Sequence, residues 1–168
     1  MVFFTLPTVV GPGQGLDAPL GPLGAIHKVP GFVTEGRLAI VEHTLAPRHL
    51  AAPLHRHSRE DELSIVLEGR LGARLGDDVV IAEAGSYVFK PRGQWHTVWN
   101  PGDTPLRFIE LLVPGESDLY WQRLSALLAA GANGTEPALR RLAAEYGIEI
   151  DFDSVPELCL RFGLTGHA

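Results

Sequence analysis

Short strand-like segments separated by turn residues fill the middle of this chain and constrain its fold more than any other feature. They lie at 37–45, 62–67, 70–75, 79–82, 86–90, 96–100 and 106–113. Most are rich in apolar and β-branched residues, and turns such as Gly76-Asp77-Asp78 separate them. Many short strands at this spacing predict a sandwich or a barrel. The 168 residues show no internal repeat, so we expect one barrel in one domain.

The segments on either side of the strands have a different character. Residues 7 to 31 are rich in glycine and proline, which predicts an irregular arm, and its leucines indicate that the arm packs on the protein. After Pro114 the apolar residues recur at helical spacing. The sequence therefore predicts an arm over 1–36, a β-barrel over 37–114 and a helical extension over 115–168, all within one structural domain.

Three helices are predicted in the extension. Ser117 would cap a first helix from Asp118 to Ala130, and a second helix fits residues 136 to 146. Ser154-Val155-Pro156-Glu157 has the pattern of a capping box and would open a third helix.

Histidine-bearing segments at the strand ends predict a metal site. His55 and His57 are two apart on an extended strand, so they project to one face. Glu62 opens another apolar run, and His96 follows the turn Pro91-Arg92-Gly93. If these strands pair, three imidazoles and one carboxylate converge, which is a ligand set that borderline divalent metals prefer. We expect one divalent ion per chain, and the ligands alone leave iron, manganese, nickel, cobalt, copper and zinc open.

The ligand count indicates what such a site would do. Four protein ligands leave an octahedral ion with about two open positions, which permits binding and activation of a substrate or dioxygen. Glu62 is also the candidate catalytic residue, as a ligand that partly shifts to act as a base. A structural zinc site is more often closed and rich in thiolates. The single cysteine, Cys159, excludes a cysteine-built site and an internal disulfide.

The two histidine segments resemble the two sequence motifs of the cupin superfamily. The first motif matches His55-x-His57, four residues, Glu62, six residues and Gly69, and the second matches Gly85, five residues, Pro91-x-Gly93, two residues, His96, three residues and Asn100. One departure is His49, which stands where the first motif usually opens with glycine. The resemblance implies a jelly-roll β-barrel, the double-stranded β-helix, with a metal bound inside by His55, His57, Glu62 and His96.

A narrower resemblance concerns the flanking segments. The stretches 57–62 and 142–149 are similar to those of single-domain, quercetinase-like cupins. This likeness implies a metal-dependent dioxygenase that acts on a small enolic or aromatic, flavonol-like substrate. Two alternatives stay open: a metal-dependent isomerase, decarboxylase or lyase, and a non-catalytic cupin that binds a small molecule.

Strand alternation predicts which neighbours surround the site. With Glu62 facing inward, Ser64 and Val66 share its face. Residues 106 to 113 allow two registers, one of which turns Glu110 inward as a candidate base. We expect Glu110 to be a solvated or ion-paired carboxylate, because buried carboxylates are uncommon. Glu60 and Asp61 are expected to be solvated near arginines 56 and 59.

Charge and hydropathy exclude other functions. The net charge is −6 and no basic cluster is present, which disfavours nucleic-acid binding. No apolar run approaches the length of a membrane helix, and the first residues lack the basic region of a signal peptide, so we expect a cytoplasmic protein. The expected partner is a small-molecule substrate, as the resemblance implies. Barrels with open sheet edges and apolar arms commonly pair, so a homodimer is also expected.

Overall fold

Two β-sheets packed face to face form the body of the protein, and three α-helices lie in the last third of the chain. A computed structural model describes residues 9–129 and 136–167. Its elements are β1 (Leu16–Asp17), β2 (Leu23–Val29), β3 (Ala39–Leu45), β4 (His49–Leu50), β5 (Leu54–His57), β6 (Asp61–Glu68), β7 (Arg70–Leu75), β8 (Asp78–Glu83), β9 (Tyr87–Lys90), β10 (His96–Trp99), β11 (Leu106–Val113), α1 (Asp118–Ala129), α2 (Glu136–Glu145), β12 (Ile148–Asp151), α3 (Ser154–Phe162) and β13 (Gly166–His167).

The order of the strands confirms the predicted jelly-roll barrel. The first sheet runs β1-β2-β3-β11-β6-β9, and every neighbouring pair in it is antiparallel. The second sheet runs β12-β5-β10-β4-β13, with β7 beside β10 and β8 beside β7. Strands that are distant in sequence lie side by side in both sheets, which brings the ends of β5, β6 and β10 together.

Alternation along the strands places the core between the sheets. On β6, Glu62, Ser64 and Val66 are buried while the residues between them are more exposed, as expected for a strand with one face inward. On β11 the inward set contains Phe108 and Glu110, which decides between the two registers that the sequence allowed. The main apolar cluster combines side chains from both sheets, so it fills the barrel.

The flanking segments differ in part from the predictions. The prediction of an irregular arm is wrong for residues 23–29, because they form β2 and pair with β3 in the first sheet. Buried and more exposed residues alternate along β2, a strand pattern that the neighbouring glycines and prolines obscured. A short strand, β12, lies inside the helical extension and pairs with β5. The division of the chain at residues 36 and 114 stays a prediction.

The three helices lie close to their predicted ranges, but the predicted caps are wrong. The Ser117 hydroxyl is buried and has no hydrogen-bond partner among the described residues. The Ser154 hydroxyl donates to the Asp151 carbonyl (2.6 Å) and accepts from the Leu54 N–H (3.0 Å), so it joins α3 to β5. Ala130, the predicted end of the first helix, lies outside the described residues. In the described part of the chain no helix has the length and apolar character needed to cross a membrane.

Candidate metal centre

The strand pairing brings all four predicted ligands to one point inside the barrel. β5 carries His55 and His57, β6 carries Glu62, and β10 carries His96, whose backbone lies opposite that of His55. One ligand atom from each of the four side chains lies within 4.8 Å of the others. His57, Glu62 and His96 are buried, whereas His55 is partly exposed. These residues form a cluster that is able to hold a metal ion.

A hydrogen bond at Nδ1 orients each imidazole. The Nδ1 atom of His55 lies 2.8 Å from the Pro53 carbonyl, and that of His96 lies 3.0 Å from the Gln94 carbonyl. His57 Nδ1 lies 2.6 Å from the Glu60 carboxylate. Carbonyl and carboxylate oxygens accept, so each Nδ1 donates a hydrogen and each Nε2 keeps its lone pair. Such partners set the tautomer and direction of metal-binding histidines.

Two unpartnered atoms show that the cluster fits a cation. Within the described residues, His57 Nε2 and Glu62 Oε1 are buried and have no hydrogen-bond partner. They lie 3.3 Å apart, and His96 Nε2 lies 3.1 Å from Glu62 Oε2. Buried polar atoms without partners are costly, and lone pairs that face one another repel. A divalent ion between them would remove both penalties, and three imidazoles with one carboxylate are suitable donors for it.

The electrostatics of the cluster mostly favour the protonation states that bind metal. Burial holds the pKa of His55 well below its usual range, and the neighbouring imidazoles add to the effect. Burial also lowers the pKa of His96 against the opposing influence of Glu62. Burial opposes charge on Glu62, but Lys90 and His57 outweigh it and hold its pKa well below the usual value. Neutral imidazole and ionised carboxylate are the ligand forms.

His57 differs from the other two imidazoles. Burial opposes its protonation, but the carboxylates of Glu62 and Glu60 outweigh burial and raise its pKa. A proton therefore competes with a metal ion at His57 more strongly than at His55 or His96 as the pH falls.

A cavity of about 510 Å³ lies against the cluster. His55 and His57 form part of its wall, and most of the remaining wall is apolar. The aromatic and aliphatic contributors come mainly from the three α-helices, strand β12, the residues between β12 and α3, and the segment before β5. They include Tyr120, Trp121, Leu124, Ile148, Phe152 and Val155. Among the described lining residues there is no arginine or lysine, and Glu136 supplies the one carboxylate. The cavity is therefore suited to a ligand with a large apolar surface.

Comparison with known proteins agrees with this geometry. Residues 41–113 match the Cupin_2 family model, which describes a cupin domain. Over these residues the barrel is similar to a cupin domain. A search of curated proteins finds no match.

Solved structures with the same cupin fold come from several bacteria. One is described as a predicted oxalate decarboxylase from Thermotoga maritima, with 20% identity, a TM-score of 0.57, and coverage of 64% of this chain and 99% of that one. KdgF from Halomonas sp. has 16% identity, a TM-score of 0.58 and coverages of 67% and 99%. An RmlC-like cupin from Shewanella frigidimarina has 19% identity, a TM-score of 0.54 and coverages of 66% and 94%. At these identities the likeness shows the fold alone.

Two acidic residues of the barrel have surroundings that differ from the prediction. Glu60 was expected to be solvated, but it is 2% exposed and accepts from His57. The loop turns it inward because His57 offers a donor three residues earlier. Asp61 is more exposed, and it pairs with Arg92 at 2.7 Å. The arginine that was expected nearby, Arg56, pairs with Glu149 instead.

A buried lysine beside the cluster was missed. Lys90 is 2% exposed, and its Nζ lies 2.5 Å from Glu110 Oε1 and 3.0 Å from Glu62 Oε2. Glu110 faces inward and is ion-paired, not solvated, and it accepts from the Ser64 hydroxyl at 3.0 Å. Val88 and Lys90 lie two residues apart on β9, so strand alternation places both side chains on the buried face. This signal was overlooked because lysine is almost never buried without a partner.

Proposed function

We propose that the protein is a metal-dependent dioxygenase that acts on a small enolic or aromatic substrate. One observation carries the proposal: a cluster of three histidines and one glutamate lies against a large apolar cavity, and two of its histidines, His55 and His57, form part of the cavity wall. A planar, largely apolar molecule in the cavity would bring a polar edge against His55 and His57.

The proposed metal site consists of His55, His57, Glu62 and His96. A redox-active divalent ion held there would supply Lewis-acid activation of a substrate hydroxyl and electrons for chemistry with dioxygen. The Nδ1 hydrogen bonds of the three histidines would keep their Nε2 atoms directed at this point without further rearrangement. Such preorganised ligands reduce the entropy lost on binding.

Glu62 is the proposed proton acceptor. Its low pKa keeps it ionised at neutral pH, and no donor among the described residues occupies Oε1. We propose that Glu62 is a ligand that partly shifts to act as a base, so that this oxygen takes the proton of a substrate hydroxyl. A low pKa makes a carboxylate a weak base, so this step requires a hydroxyl that has itself become acidic. An enol or a phenol meets that requirement better than an aliphatic alcohol.

The cavity walls support the choice of substrate class. Trp121 and Phe152 present aromatic surface, and the apolar neighbours would exclude water around the reacting group. A phosphorylated or strongly anionic substrate would call for cationic side chains in the wall, and the described part of the wall contains no arginine or lysine. The cavity therefore favours a neutral aromatic molecule over a sugar phosphate.

Oxygen uptake tests the proposal directly. The protein would be loaded separately with iron(II), manganese, nickel, cobalt, copper and zinc, and mixed with a panel of flavonols and other enols in an oxygen electrode. We expect substrate-dependent uptake with at least one redox-active metal. It should be lost in His96→Ala and kept in His49→Ala, a matched change of a strand histidine outside the cluster.

Other outcomes would replace the proposal. Turnover without oxygen consumption would favour an isomerase, decarboxylase or lyase. Tight binding of a panel compound without turnover would favour a binding protein. Equal uptake in wild type and His96→Ala would show that the reaction does not use this cluster.

A further inference from the structure

We infer that Lys90 is a positioning residue for Glu62, and that Glu110 and Ser64 hold Lys90 in place. The inference rests on the proposed metal site, since it assigns a role to side chains that contact one of its ligands. It concerns how one carboxylate oxygen is kept available for the ion.

The pairing of β9 with β6 sets the geometry. Lys90 lies directly opposite Glu62 in the antiparallel register, and both side chains point into the barrel. Glu110 pairs with Ser64 in the register of β11 and β6, on the same inner face. The four side chains therefore form a buried polar group, with relative exposures of 0 to 4%. None of the three supporting residues is among those that line the cavity, so their role toward a substrate would be indirect.

The two carboxylate oxygens of Glu62 have different contacts. The Lys90 ammonium lies 3.0 Å from Oε2. Oε1 has no donor within the described residues and faces His57 Nε2 at 3.3 Å. An ammonium on Oε2 restricts rotation of the carboxylate and leaves both lone pairs of Oε1 free. Lys90 thereby favours a single, defined donor atom of Glu62 at the ion.

Glu110 explains why a lysine can occupy this place. Burial opposes the charge on Lys90, but Glu110 and Glu62 outweigh it and raise the pKa of Lys90. Burial raises the pKa of Glu110 to about 7, against the opposing effect of Lys90. The Glu110 carboxylate, 2.5 Å from the ammonium, balances its charge, so Glu62 keeps its own negative charge for the ion. Ser64 donates to both Glu110 oxygens, at 3.0 and 3.2 Å, and fixes that carboxylate.

The primary test is the pair variant Lys90→Met/Glu110→Met. It removes one positive and one negative charge, so the net charge of the buried group is kept. The matched control is Lys28→Met/Glu42→Met, which removes an ion pair of 3.7 Å from outside the cluster. Zinc affinity would be measured by chelator competition at pH 8, and the coordination geometry would be read from the visible absorption of the cobalt(II)-loaded protein.

We expect the Lys90 pair variant to bind zinc about 10- to 100-fold more weakly than wild type, the range for loss of a residue that supports a metal ligand. Its cobalt spectrum should also change, because band shape and intensity follow ligand geometry. The control pair should match wild type in both measurements. A Lys90 pair variant with lower thermal stability but unchanged zinc affinity and cobalt spectrum would show that the two residues are only a core ion pair.

A milder variant tests the same inference if the pair variant does not fold. Glu110→Gln keeps the size and an acceptor for Lys90, but leaves Glu62 as the one carboxylate opposite the ammonium. Zinc affinity should fall and the cobalt spectrum should shift relative to Glu68→Gln, an exposed carboxylate on β6; no difference would overturn the inference. If wild type itself binds neither metal, the proposed metal site fails, which is a separate result.

Discussion

The hydrogen bond between His57 and Glu60 leads to a specific prediction about metal affinity. Glu60 is buried and lies 2.6 Å from His57 Nδ1. Replacing Glu60 with alanine removes the acceptor, so the imidazole loses the contact that holds its tautomer and orientation. Loss of such a partner lowers metal affinity about 10- to 100-fold, which is about 1.4 to 2.8 kcal/mol of binding free energy.

A second variant separates the hydrogen bond from its charge. Glu60→Gln keeps an oxygen that can accept from Nδ1 but replaces a charge-assisted bond by a neutral one, which is roughly half as strong. We therefore expect its metal affinity to lie between those of wild type and Glu60→Ala. The order of the three proteins follows from the geometry at Nδ1 and not from the loss of charge alone.

The assay and its control follow from the neighbouring residue. Zinc affinity would be measured by chelator competition at pH 8, because proton competition at His57 weakens as the pH rises. Asp61→Asn removes the same charge one residue away, from a side chain that pairs with Arg92. Its affinity should stay within about twofold of wild type, as an order-of-magnitude expectation for a screened surface charge. If Glu60→Ala and Asp61→Asn had the same affinity, the assigned role of Glu60 would be refuted.

Four further measurements test the fold and the site. Zinc at 100 times its dissociation constant should stabilise wild type by about 2.7 kcal/mol and His96→Ala much less, as seen by thermal unfolding. Leu158 is fully buried, so Leu158→Ala should lower the free energy of unfolding in denaturant by about 2 to 5 kcal/mol. Leu160 is 87% exposed, so Leu160→Ala should change that free energy by less than about 0.5 kcal/mol. Burial lowers the pKa of His43 to about 4, so the stability that neutral His43 permits above pH 6.5 is lost as the pH falls toward 4. In urea unfolding of the metal-free proteins, wild type should therefore lose about 2 kcal/mol more stability between pH 7 and pH 5 than His43→Gln does. The proposed homodimer predicts twice the chain mass in light scattering, and a single-chain mass would contradict it.

The sequence determined the members of the candidate metal cluster because their signals are local. Two histidines at i and i+2 share one face of any strand, and a turn before His96 ends one strand and starts another. Apolar runs between turns likewise determined most of the strands and hence the barrel. Helical spacing after Pro114 located the three helices to within a few residues. Each of these features depends on residues within about ten positions of one another.

What lies around the ligands depended on the tertiary structure. The orientation of Glu110 follows from the register between β11 and β6, and the place of Lys90 follows from the pairing of β9 with the same strand. The inward turn of Glu60 depends on a free donor at His57, and the cavity depends on how β12 and α3 pack against β5. Register and packing are properties of strands that meet from distant parts of the chain. Burial of Lys90 is favourable only because carboxylate partners surround it. It could therefore not be predicted until the tertiary structure showed those partners.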